Sequence, residues 1–229
     1  MQSQFLGRLL HLSDPTLPIG GYTHSNGLET YVQEGLVNSK VTAEEYVRHN
    51  LWYNLRYNDA AIMKLAYDAA SKGDLAELIK LDQECNALKS PMEVRQGSQK
   101  LGVRLFKIFS RYVDNPLVEQ WGQIIREKKA YSHYCVLFGM FAYLMELPIV
   151  EAMHAYYYNA AIGMVTNAVK LVPLGQLDGQ DILYYLHDDL WTLSQESLNL
   201  DRNLIGLCNV GFDIRCMQHE NLYSRLYLS

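Results

Sequence analysis

The sequence predicts an all-α fold, a single-domain bundle of about ten helices over residues 1–229. Three observations carry this. Apolar residues recur three and four positions apart along most of the chain, which is the period of one helical face. Segments with this period open on helix-start residues, Ser, Thr, Asp or Asn, with Pro or Glu behind them. Strict apolar–polar alternation, internal repeats and low-complexity linkers are not found.

Taken in order, Thr42-Ala-Glu-Glu45 has the pattern of a capping box with Thr42 at the N-cap. The stripe behind it, Val47, Leu51, Leu55, Ile62 and Ala66, predicts a helix to about Ala70. Ser71-Lys-Gly-Asp74 breaks it, and Asp74 caps a segment over Leu75 to Leu88, with Leu75, Leu78, Ile79 and Leu81 inward. Ser90-Pro91-Met-Glu93 reads as another start, Ser90 at the N-cap and Pro91 at the first helical position, with Leu101, Leu105, Ile108 and Tyr112 continuing the stripe. Asn115-Pro116 marks the next start. Ser132 to Leu144 is apolar on nearly all sides and is therefore expected at the centre. Pro148 precedes a long Ala- and Tyr-rich helix over Ile149 to Val169. A helical pattern resumes from Gln180 to about Leu200, and a short helix is expected around Ile214 to Tyr223.

Two irregular stretches interrupt this pattern. The first, residues 13–27, holds Pro15, Pro18, Gly20, Gly21 and Gly27; the second, 172–179, holds Pro173, Gly175 and Gly179. Proline fixes φ and glycine admits positive φ, so together they are expected to hold a loop in one shape independently of its packing. The second stretch reads as a well-capped helix connection. The first is too long and too distinctive for that and suggests recognition.

Composition narrows the function. A net charge of −5 argues against a nucleic-acid partner. No stretch approaches the length of a membrane span, and the N-terminus reads without a secretory signal. Four scattered cysteines with no CxxC pair point to free thiols and a cytoplasmic setting. Seventeen tyrosines suit either a tyrosine-tolerant helical core or large interfaces.

The chemistry-bearing patterns fail one by one. The 13–27 loop lacks the lysine of a P-loop and follows a helix. Thr23-His-Ser-Asn-Gly27 has Thr where a nucleophile elbow needs Gly, and no strand precedes it. None of the seven histidines pairs with another at i,i+4. Cys208, Cys216 and His219 match no zinc spacing, and are read as a buried thiol pair with a hydrogen-bonded histidine. Asp188 and Asp189 are adjacent and point about 100° apart on a helix, which fits a solvated face. No catalytic residue, metal ligand or cofactor is assigned.

Leu9 to Glu29, LLHLSDPTLPIGGYTHSNGLE, resembles the N-terminal signature of the urease accessory protein F family (UreF). Ala168 to Gln176, AVKLVPLGQ, is similar to a second block of that family, and Met217 to Ser229, MQHENLYSRLYLS, to its C-terminal tail. Weaker blocks, Glu93 to Leu101 and Ser132 to Gly139, fall between them in the right order. Tyr22, Asn26 and Tyr227 depart from the residues common there (Phe, Gly and Phe); Asn tolerates positive φ, so the turn at Asn26 is expected to persist.

The resemblance implies an all-α protein that is not an enzyme and uses no cofactor. It implies a homodimer that joins the urease accessory D/H scaffold and the nickel-binding accessory GTPase G on apo-urease. Under it the tail, about 208–229, is expected to be loose from about Gly211 in the free protein and to order on the D/H scaffold. Met217, Leu222, Tyr223 and Leu226 would be its apolar anchors and Arg225 a polar clamp, with His219 and Glu220 in the same contact set. Lys170 and the 13–27 loop are expected to face the GTPase. Asp14, Pro18, Gly20, Gly21, His24, Gly27 and Glu29 are expected to shape the loop. A helical enzyme with an unfamiliar site and a stand-alone nickel-binding metallochaperone stay open as alternatives.

Overall fold

The computed structural model describes residues 4–21 and 24–227. Among these residues there are twelve α-helices and no β-strand. They are α1 (Gln4–Leu12), α2 (Leu28–Gln33), α3 (Lys40–His49), α4 (Ala61–Ser71), α5 (Leu75–Leu88), α6 (Met92–Phe109), α7 (Pro116–Arg126), α8 (Tyr134–Leu144), α9 (Ile149–Leu171), α10 (Gln176–Tyr185), α11 (His187–Glu196) and α12 (Val210–His219). A π-helical segment, Asn50–Ala60, joins α3 to α4 in one rod, and two short 3₁₀ turns follow α11.

Helix α8 is the hub. Every residue from Cys135 to Ala142 is buried. A side chain that leaves water on all sides contributes roughly 1.5–3 kcal/mol if large and apolar, so an all-round apolar helix belongs in the centre. Two glycines permit the close approach of its neighbours. A Cβ on Gly139 of α8 would lie 2.2 Å from the carbonyl oxygen of Met63 in α4, and one on Gly102 of α6 would lie 1.9 Å from that of Ser132.

The entry to α8 is held from outside. Asp82, fully buried on α5, accepts hydrogen bonds from the backbone N–H groups of Tyr131 (2.6 Å), Ser132 (3.0 Å) and His133 (2.7 Å). Ser132 stands at φ 63°, a left-handed value that a serine adopts at a cost. That strain persists because the carboxylate fixes both flanking amides and Trp121 Nε1 donates to Ser132 Oγ at 3.2 Å.

Several expected boundaries shift. Thr42 is the third residue of α3; the N-cap is Ser39, and the two exchange reciprocal bonds (Ser39 N to Thr42 Oγ1, 3.0 Å; Thr42 N to Ser39 Oγ, 3.3 Å). The N-cap of α6 is Pro91, without a side-chain cap. Asp74 and Asn115 cap α5 and α7 as expected, accepting from Glu77 N and Leu117 N. Helix α10 already starts at Gln176, so half of the 172–179 stretch is helical, with Asp178 accepting from Gly175 N at 2.9 Å. The single helix expected from Gln180 breaks at Leu186 into α10 and α11. Tyr112 lies beyond the end of α6 and is exposed. The tyrosines divide between both readings: Tyr46, Tyr156 and Tyr157 are buried, whereas Tyr53, Tyr112, Tyr184, Tyr185 and Tyr223 are exposed.

Candidate functional site: the N-terminal loop and the docked tail

The two ends of the chain meet. Helix α12 lies against α2 and α6 with Phe212, Cys216 and His219 buried. The tail is therefore docked in the chain itself, which corrects the expectation that it is loose until a partner arrives. The physical reason is a buried polar clamp. His219, wholly buried, bridges two carboxylates: Nδ1 lies 2.6 Å from Glu93 Oε2 and Nε2 lies 3.1 Å from Glu29 Oε2. Glu29 also accepts from the backbone of the tail, Leu226 N to Oε1 at 2.7 Å and Tyr227 N to Oε2 at 3.3 Å. Arg225 Nη1 donates to Glu93 Oε1 at 2.7 Å. Buried carboxylates are tolerable only when their lone pairs are filled in this way.

Further contacts bind α12 to α2. Thr30 Oγ1 donates to the carbonyl of Arg215 at 3.0 Å. The Arg215 guanidinium lies 4.8 Å over the Tyr31 ring and pairs with Glu34 at 3.1 Å. Gly27 stands at φ 81°, and a Cβ there would come within 2.8 Å of Cys216 Sγ. Glycine is required at this position both for the turn into α2 and for the approach of α12.

The 13–27 loop is held by donors from other elements, so its shape does depend on packing. Asn159 Nδ2 bonds Ser13 O at 2.8 Å, Arg104 Nη1 bonds Ile19 O at 2.7 Å, Asn167 Nδ2 bonds His24 O at 2.7 Å and Tyr46 Oη bonds Asn26 O at 3.2 Å. Within the loop Asp14 Oδ1 accepts from Thr16 N and Thr16 Oγ1, both at 2.7 Å. Asn26 has φ 51° and Gly20 φ 86°. Gly21 and Pro18 are exposed, and nothing would crowd a Cβ on Gly21. Tyr22 and its added hydroxyl lie outside the described residues. The His24 ring packs on Gly97, where a Cβ would meet it at 3.1 Å. Burial, with Lys100 and Arg104 nearby, pushes the His24 imidazole below its ordinary value, so it is held neutral.

The expected site residues thus separate. His219 and Glu29 lie inside and hold the tail; His219 reaches no surface and cannot itself meet a partner. Met217 is partly exposed, Glu220 and Leu222 are half-buried, and Tyr223, Arg225 and Leu226 are exposed, Tyr223 fully so. Lys170 is exposed in the last turn of α9, where a cation suits the helix dipole. Glu93, read from the sequence only as part of a helix start and of a family block, completes the clamp, and Arg215, which the sequence did not mark, ties α12 to α2; no local pattern marks a contact that spans more than a hundred residues.

A second exposed set lies on α9, α10 and α11. Tyr158 and Tyr184 flank His187, at 6.0 Å stacked and 6.0 Å edge-on, and Tyr184 meets Tyr185 at 5.6 Å. Leu177 on α10 and Trp191 on α11 are exposed as well. Aromatic residues with one apolar and one wet side are typical of interfaces.

Among the described residues no group of three or more His, Cys, Asp or Glu side chains is placed to hold a metal ion. Cys208 is exposed and donates to Asp213 at 3.2 Å while Cys216 is buried, so they are not the buried thiol pair that was expected. The buried thiols that do face each other are Cys85 and Cys135, 3.5 Å apart. No helix is long and apolar enough to cross a membrane among these residues.

The family model described as UreF matches residues 37–187. A protein of Actinobacillus pleuropneumoniae serotype 5b (strain L20), described as urease accessory protein UreF, is 54% identical over 224 residues, 98% of this chain and 99% of its own length. Proteins with the same description from Haemophilus influenzae (strain PittEE) and Bacillus sp. (strain TB-90) are 50% and 32% identical, covering 98% and 96% of this chain and 95% and 97% of theirs. The matched stretch and these full-length relatives, together with a fold whose N-terminal signature and C-terminal tail form one structure, place this chain in the urease accessory protein UreF family.

Proposed function

We propose that this chain is a non-catalytic adaptor in urease maturation, which joins the D/H scaffold and the accessory GTPase G so that nickel, the cargo, reaches apo-urease. The observation that carries this reading is the tail. Its backbone is fixed by the buried carboxylate of Glu29 while Tyr223 and Leu226 point outward. Large side chains presented on an ordered backbone lose little freedom on binding, which favours affinity. The D/H scaffold is assigned to this surface, with Met217, Tyr223 and Leu226 as anchors, Arg225, Glu220 and Leu222 beside them, and His219 as the internal holder.

A second copy of the chain is assigned to the aromatic ridge of α9–α11, the exposed surface with Tyr184, Tyr185, Leu177 and Trp191. Lys170, at the end of the same α9, and the exposed part of the 13–27 loop are assigned to the GTPase. The test is capture of purified D/H scaffold and GTPase by the full chain. Tyr223→Ala with Leu226→Ala abolishes scaffold capture and leaves the helical content intact. Lys170→Ala leaves capture intact and changes GTP turnover in the assembled complex. Capture at full strength by the tail double variant refutes the assignment of the tail.

A further inference from the structure

An open groove of 440 Å³ lies between α2, α3, the π segment and the start of α12. Its walls carry the rings of Tyr31, Tyr46, Tyr53 and Phe212, and its polar groups include Glu45 and Asn50. This volume falls in the range of ligand pockets. Helical segments with the wider π turn occur often at functional sites, and here the π segment begins at the groove with Asn50. Asn50 is almost wholly buried, and its Oδ1 accepts from Asn54 Nδ2 at 3.1 Å, which fixes the amide.

The chemistry of the lining favours a cation. No lysine or arginine lines the groove; its one basic side chain is the His49 imidazole, whose ring lies 5.7 Å from that of Tyr53. Glu45, exposed on α3, forms no ion pair among the described residues. Burial pushes the Tyr31 and Tyr46 phenols upward, so both rings stay neutral and keep their electron-rich faces. Beside the groove the same combination is already in use: Arg215 covers the Tyr31 ring and pairs with Glu34, so the exposed ring left for an incoming group is Tyr53. Aromatic faces with a nearby carboxylate attract guanidinium and ammonium groups, and a planar guanidinium does both jobs at once.

We propose that this groove receives one basic side chain, an arginine, from a protein partner. The groove is open and Glu45 sits on its rim, where a lone ion pair is weak. An isolated arginine side chain therefore binds weakly but measurably, its apolar stem on the ring walls adding to what bare guanidinium gains, and a docked partner surface delivers it at high effective concentration. The inference does not depend on which protein the tail binds.

The test titrates the full chain with Nα-acetyl-arginine N-methylamide, followed by NMR shifts, with the citrulline analogue as its neutral isostere and guanidinium chloride as the untethered cation. The arginine probe gives saturable shifts at Asn50, Tyr53 and Phe212. Glu45→Gln and Tyr53→Ala, both at exposed positions, each weaken it about three- to tenfold without moving α8 resonances. The citrulline probe binds more weakly by a similar factor. Equal binding of the citrulline probe, equal binding of guanidinium alone, saturable shifts elsewhere, or none up to the solubility limit of the probe would overturn the proposal.

Discussion

Glu29→Gln tests the clamp that joins the two ends of the chain. The wild-type carboxylate accepts three bonds, from Leu226 N, Tyr227 N and His219 Nε2, and is almost fully buried. Glutamine keeps the size and one acceptor oxygen. If that oxygen faces Leu226, the amide NH₂ confronts two donors; if it is turned round, the NH₂ confronts Leu226 N. At least one charge-assisted bond is lost and one donor is left facing another, about 2–3 kcal/mol in total. The loss is local, because it falls on the docked tail and leaves the α8 core untouched, so it shows as roughly 30- to 150-fold more frequent opening of residues 210–227. Native-state hydrogen exchange reads this directly: the amides of Leu226, Tyr227 and α12 lose protection by that factor and those of Cys135 to Ala142 keep theirs. Unchanged protection at Leu226 and Tyr227, or a uniform loss that includes α8, would refute the clamp.

Other expectations are as direct. Gly102→Ala sets a Cβ against the backbone oxygen of Ser132, which cannot swing aside, so thermal unfolding shows a loss of about 3 kcal/mol or more. Gly27→Ala costs about 1–2 kcal/mol in backbone strain and displaces Cys216, so limited proteolysis cuts α12 sooner than in the wild type. His24 and His154 are both held neutral by burial, below their ordinary value of 6.5. The unfolded chain then binds protons that the folded one resists, so stability falls as pH drops below 6.5. In thermal melts against pH, His24→Gln flattens that slope; an unchanged slope contradicts the assignment.

Legibility in the sequence followed the range of the interactions. Asp74 and Asn115-Pro116 act within one helical turn, and both starts are where the pattern puts them. Thr42 was readable as part of a capping box but its place in the box was not, since Ser39 and Thr42 both carry hydroxyls and only the backbone decides which is the cap. The π segment hides in a stripe, Val47 to Ala66, that a regular helix would also produce. The break at Leu186 has no Gly or Pro to announce it. The two loops and the tail stood out by composition, yet the joining of Glu29 to His219 across 190 positions had no local signal. His219 is the hydrogen-bonded histidine that its neighbours suggested, but its partners Glu29 and Glu93 had no local signal, and the resemblance set it among the partner contacts of a loose tail.

The account rests on the tail acting by contact with other proteins. The most direct measurement is nickel-dependent activation of apo-urease in an extract lacking this chain, to which the purified wild type or the Tyr223→Ala/Leu226→Ala variant is returned. The wild type restores urease activity, and the variant, with its helical content intact, does not. Activation that proceeds equally well with the variant, or with nothing returned, would contradict it.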